Sequence, residues 1–158
     1  MKHFLFRWHL QLGAFIIVVL AATSFFRPDI FHWQMFLTAS VSILTFNFMI
    51  QKQALDEMWL FKDLFKEFNA RYDKLNAKLY RILRKKGKLA NKDKDVLYDY
   101  FNLCSEEAFM YKQGYIYPEV WKSWRNGMNI FFSNERIRSL WEQEKKTNSY
   151  YGLEKVLE

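Results

Sequence analysis

Two apolar runs separated by three residues constrain this chain more than anything else in it. From Trp8 to Phe26 it reads "WHLQLGAFIIVVLAATSFF", and from Ile30 to Ile50 "IFHWQMFLTASVSILTFNFMI". At 1.5 Å rise per residue, a helix of about twenty residues spans the roughly 30 Å hydrocarbon core of a bilayer. Only "RPD", Arg27 to Asp29, intervenes, and Pro28 breaks a helix. The runs therefore predict a transmembrane helical hairpin within residues 1–53, with spans at about 8–26 and 30–50. Trp8, Phe25, Phe26, Phe31 and Trp33 lie near the run ends, where an interfacial aromatic belt would sit. Two other readings compete. A cleavable signal peptide accounts for Lys2, the first run and the small residues around Ala22, but leaves the second run unexplained. A buried soluble hairpin conflicts with runs that are apolar on every face.

Charge sets the expected orientation. Lys2, Arg7 and the amino group precede the first run and Lys52 follows the second, whereas Arg27 and Asp29 cancel in the turn. The positive-inside tendency puts both ends of the hairpin, and both termini, in the cytoplasm. On the second run Gln34, Thr38, Ser42, Thr45 and Met49 recur at spacings of 4, 4, 3 and 4, which places them on one stripe. Such a stripe joins helices by hydrogen bonds or lines a wet path, and the first is the preferred reading.

The remaining residues, 54–158, predict one cytosolic all-α domain of about four helices. No Gly or Pro occurs between Pro28 and Gly87, so the second apolar helix is expected to continue into a long helix ending near Lys86. Along it Met58, Phe61, Phe65, Phe68, Tyr72, Leu75, Leu79 and Ile82 alternate at spacings of three and four, a heptad pattern. The four aromatic residues in that stripe, Phe61, Phe65, Phe68 and Tyr72, favour packing in a globular core over a slim intermolecular coil. Leu97, Phe101, Cys104, Ala108 and Tyr111 repeat the pattern up to Gly114, with Asn91 or Asp93 as N-cap candidates. Pro118 suits the first turn of a further helix, on which Trp121, Trp124, Met128 and Phe131 share a face. Ser133 or Asn134 can cap the next, and the aromatic and leucine side chains of "SYYGLEKVLE" are available to dock. No stretch alternates with a period of two.

The long helix runs into the most charged stretch of the chain. Residues 51–80 carry a net +1, residues 81–94 carry +6, and residues 95–158 carry −2, so the overall +7 is largely a local patch. The patch, "RILRKKGKLANKDK", holds seven basic side chains and one acid. Positive charge at a helix C-terminus complements the macrodipole, and a solvated helix end is the bland reading. The sharper reading is a phosphate-rich ligand held by Arg81, Arg84, Lys85, Lys86, Lys88 and Lys92, with Arg125, Asn126 and Asn129 of a later helix adding recognition groups. The −2 remainder offers no extended basic face, so a compact nucleotide fits better than long duplex nucleic acid. Arg84 lies 34 residues beyond Ile50, about 50 Å along an uninterrupted helix. Lipid headgroups act over about 8 Å, so membrane lipids reach this patch only if the chain folds back.

Little points to catalysis. The single cysteine, Cys104, allows no internal disulfide and lies on an apolar helix face, where a small buried hydrophobe is its default role. All three histidines fall in the apolar part, leaving no His/Cys metal set and no Ser-His or Cys-His pair in the charged domain. Glu106 and Glu107 are adjacent, so a helix points them about 100° apart. The glycines are isolated and form no phosphate-binding loop. The expectation is a non-enzyme with no cofactor and no metal.

"DYFNLCSEEAFMYKQGYIYPEVWKSWRNGMNIFF", Asp99 to Phe132, together with "EFNARYDKLN", Glu67 to Asn76, resembles a recurring bacterial helical domain. In that domain a YFN-LC-EE helix precedes a KxGYI-PEVW turn and a GM helix, and several members follow one or two membrane spans. The layout also resembles the small two-span accessory effectors of type III CRISPR systems, which are similar in size and order. That resemblance implies a homo-oligomer, a tetramer in the simplest case, in the bacterial inner membrane. It would gather its cytosolic domains around cyclic tetra-adenylate, with Arg or Lys on the phosphates and Asn or aromatic groups on the adenines. The implied output is membrane perturbation in antiviral defence. A constitutive scaffold binding a protein partner, and a nucleic-acid tether, are the alternatives.

Overall fold

The computed structural model describes residues 2–27 and 32–157. Pro28 and Asp29 of the expected turn, Ile30 and Phe31 at the head of the second run, and the side chains of Lys2 and Arg7 lie outside the described residues. The elements are helices α1 (Lys2–Phe26), α2 (Trp33–Arg84), α3 (Asn91–Lys112), α4 (Pro118–Phe132), α5 (Glu135–Glu144), a 3₁₀ turn (Lys145–Thr147) and α6 (Glu154–Leu157). Among the described residues there is no strand, so the fold is all-α.

Each boundary has a local cause. With no helix breaker between Pro28 and Gly87, α2 runs 52 residues without interruption. It stops ahead of Gly87, whose φ of 88° needs a residue without a Cβ. Neither Asn91 nor Asp93 is the N-cap of α3. Ala90 takes that place, and Asp93, at the third helical position, accepts the Ala90 N–H at 3.1 Å. Pro118 opens α4 at its first turn as expected. Asn134 caps α5 by accepting from the N–H groups of Arg136 and Ile137.

The chain divides into two compact units, Met1–Met58 and Trp59–Glu158, with the division inside α2. In the first unit α1 contains Trp8–Phe26, and it and α2 are both long and apolar enough to cross a membrane. Phe15, Val18, Phe25, Phe46 and Phe48 are each more than 60% exposed, which no protein-buried core helix would allow. Only Gly13 and Asn47 are buried among the described side-chain positions of the two apolar runs. The expected polar stripe turns the other way. Thr38, Ser42 and Thr45 are exposed and donate to the carbonyls of Gln34, Thr38 and Val41 within their own helix, so the stripe does not join α1 to α2. A polar side chain described at the α1–α2 contact is Asn47, which donates to Ile43 O at 3.0 Å and meets Gly13.

The second unit has one core, built from the lower part of α2 and from α3, α4, α5 and the C-terminal segment. The heptad stripe of α2 divides. Phe68, Leu79 and Ile82 are at most 2% exposed, whereas Met58 and Phe65 are 57% and 40% exposed. Phe101 is fully buried, with its ring centroid 5.5 Å from Phe132 and 5.1 Å from Trp141. Aromatic contacts of this kind add to area burial and favour a single arrangement. Lys112 ties down the tail: its ammonium donates to Gly152 O at 2.8 Å, while Tyr150 and Leu153 enter the core.

Candidate functional site

Two features of the helical unit carry chemistry, a cationic corner and a pocket around a buried acid.

The corner is the α2–α3 connection. Arg81 and Arg84 end α2, Lys85, Lys86 and Lys88 occupy residues 85–90, and Lys92 lies in the first turn of α3; all six are exposed. Lys85 donates to Asp93 Oδ2 at 2.6 Å, and no other basic side chain of residues 81–94 has a carboxylate within 4.0 Å among the described residues. That contact and the Ala90 N–H hold the Asp93 carboxyl below its ordinary range. The cluster keeps most of its charge.

Arg136, which the sequence did not single out, braces the corner from α5. Its guanidinium donates to Ile82 O at 2.8 Å and to Gly87 O at 3.0 Å. A cation therefore caps the end of α2, where carbonyls lack helical partners. Lys88 and Lys94 share a cleft with Arg136 and Glu135 of α5. Arg125, Asn126 and Asn129, expected to add recognition groups, line a different cleft on α4 with Trp121 and Lys122.

The pocket lies between α2, α3 and α4. It has a volume of about 160 Å³, with Asn69 and Tyr72 from α2, Tyr100 and Glu107 from α3, and Trp124 and Gly127 from α4 on its walls. The adjacent acids part company here. Glu106 takes both terminal nitrogens of Arg71, one of them at 3.0 Å, on a partly exposed surface. Glu107 turns inward, 6% exposed, and no hydrogen bond from a described residue reaches it. Desolvation pushes its carboxyl up to about 8, against the opposing pull of Arg71. Burial likewise raises the Tyr100 hydroxyl and the Cys104 thiol, so neither is ionised near neutrality. Cys104 is a buried apolar residue, as its position predicts.

Sequence reasoning placed Glu106 and Glu107 on different faces but had no means of saying which faces inward. The Arg71 partnership, 35 residues apart in the chain, carries no local signal. Among the described residues no three His, Cys, Asp or Glu side chains gather in a way that could hold a metal ion.

No protein-family model matches the chain, and no curated protein or solved structure is significantly similar to it.

Proposed function

We propose that α1 and the apolar part of α2 anchor the chain in a membrane, with both termini cytoplasmic, and that its helical unit is a receptor for a compact phosphate-rich nucleotide. Cyclic oligoadenylate, in the form of cyclic tetra-adenylate, is the specific candidate, carried by the resemblance to two-span CRISPR accessory effectors. The observation behind the reading is the cationic corner: six of its seven basic side chains have no carboxylate partner among the described residues, and they surround one short, braced turn. Like charges gathered this closely repel one another until an anion compensates them. Binding shared between copies would favour an oligomer, and any output at the membrane requires the ligand to favour one arrangement of the helices over another. A bilayer would cover the aliphatic side chains of α1 and α2 that the protein leaves exposed.

The experiment uses the full-length protein in detergent or nanodiscs. Cyclic tetra-adenylate, linear oligoadenylate, inorganic phosphate and anionic vesicles are titrated in turn. The reading expects micromolar or tighter binding of the cyclic species, weakened at least about tenfold by Arg84→Glu with the helical content intact. A chain that binds no anion is instead a scaffold. The exposure of Trp59, Leu60 and Phe65 on α2 favours that second reading, since a partner helix would cover them. Orientation is tested separately: protease added outside spheroplasts should leave the helical unit intact, and its digestion would reverse the topology.

A further inference from the structure

We propose that the pocket between α2, α3 and α4 binds a small organic ammonium ion, with its charge against the Glu107 carboxylate and its alkyl groups against Tyr72, Tyr100 and Trp124. This site is separate from the cationic corner and does not depend on the nucleotide reading.

Size comes first. A cavity of about 160 Å³ compares with the roughly 150 Å³ that admits benzene, and falls below the ~300 Å³ at which drug-sized pockets begin. The occupant is therefore a group of about seven heavy atoms. Its charge follows from Glu107. The carboxyl is nine-tenths buried, lines the cavity and has no hydrogen bond from the described residues, while the nearby Arg71 is engaged by Glu106. A buried acid in that condition is costly, and a cation entering the cavity supplies the missing partner. Aromatic walls attract the same kind of ligand through their quadrupoles. An anion would be repelled by the ionised carboxylate, and a neutral ligand would leave its charge uncompensated.

Gly127 points the same way independently. It lies inside α4, where glycine costs about 1 kcal/mol relative to alanine. It has no positive φ to require it, and a Cβ built there meets no atom within 4 Å. Neither backbone nor packing accounts for it. The space it keeps open is pocket wall.

Proton linkage provides a signature. The titratable groups that interact electrostatically with Glu107 are Arg71 and Tyr72 from α2, and Glu106, Tyr100 and Cys104 from α3; the pocket residues of α4, Ser123, Trp124, Gly127 and Met128, are uncharged. The two tyrosines and the thiol are all pushed upward, so Glu107 is the group that titrates between about pH 6 and 9. A cation must displace its proton, and affinity should strengthen about tenfold per pH unit until the carboxyl is ionised.

The test is calorimetric titration of the full-length protein in non-ionic detergent with choline chloride and with 3,3-dimethyl-1-butanol, its neutral isostere. Choline should bind more tightly than the alcohol, and about twentyfold more tightly at pH 8.5 than at pH 6.5. Glu107→Gln should abolish both the preference and the pH dependence, and Gly127→Leu should exclude both probes. If Glu107→Gln does not fold, Gly127→Leu and the pH series decide. Choline binding no tighter than the alcohol, independent of pH, or undiminished by Gly127→Leu overturns the proposal, as does the absence of choline binding.

Discussion

Gly13 of α1 lies directly against Asn47 of α2: a Cβ on Gly13 would overlap the Asn47 amide nitrogen and come within 3.3 Å of Ile43 Cγ2. Among the described residues, the one buried polar side chain of the first unit thus sits opposite the single glycine of α1. Close approach at small residues is how apolar helices associate where lipid removes the hydrophobic drive. Gly13→Val should therefore weaken the α1–α2 pair by about 1–3 kcal/mol through overpacking. Part of that loss should return in Gly13→Val/Asn47→Ala. Double-mutant-cycle unfolding in mixed micelles measures the coupling, and strict additivity of the two substitutions would contradict direct contact.

Stability of the helical unit should fall as pH rises. Glu107 has its folded value raised to about 8, above the roughly 4.3 of an unfolded glutamate. Its stabilising contribution is thus complete below the unfolded value, declines between about pH 4.5 and 8, and is gone above that. The span corresponds to on the order of 5 kcal/mol. Urea midpoints followed by tryptophan fluorescence should decline over this range for the natural chain and be flatter for Glu107→Gln. Parallel curves for the two proteins would show that another group controls the dependence.

Arg71→Met should act on two groups at once. The bridge to Glu106 is about one-third exposed on each side, so its direct loss is worth about 0.5–1 kcal/mol after solvent screening. Because Arg71 holds Glu107 down, its removal should shift the Glu107 titration upward, which carboxyl infrared bands against pH would follow. An unmoved band would mean the guanidinium is too far away or too well screened to matter.

Arg136→Met should release the carbonyls of Ile82 and Gly87 together. A loss of about 1–3 kcal/mol is expected from hydrogen bonds to a charged donor. Amide exchange should accelerate locally, in the last turn of α2 and across residues 85–90, while the α3 core stays protected.

What the sequence conveyed was governed by local chemistry. The unbroken span from Trp33 to Arg84 follows from missing breakers, and Pro118 and Asn134 mark helix starts because their preferences act within a turn. The heptad stripe identified the α2 face but not where the core begins, since Phe65 and Phe68 look alike in sequence and differ only in what the rest of the chain brings over them. Ala90 as a cap defied residue preference because Asp93 supplies the bond from inside the helix. The inward turn of Asn47 was missed for a related reason. Thr38, Ser42 and Thr45 form the more conspicuous polar stripe, yet each can satisfy itself on its own backbone. Clustered lysines were visible at once, but the brace from Arg136 and the separation of Arg125, Asn126 and Asn129 into another cleft depend on tertiary packing.

Arg136 has one more consequence. Because its fork grips the backbone on both sides of the α2 terminus, the chain path beneath the lysines is set when the domain folds, not when a guest arrives. Only side-chain rotors would be immobilised on docking, at roughly 0.5–1.5 kcal/mol each. Discrimination among polyanions would then depend on how well their charge spacing matches a fixed template, and a flexible linear strand would match it less well than a ring already closed.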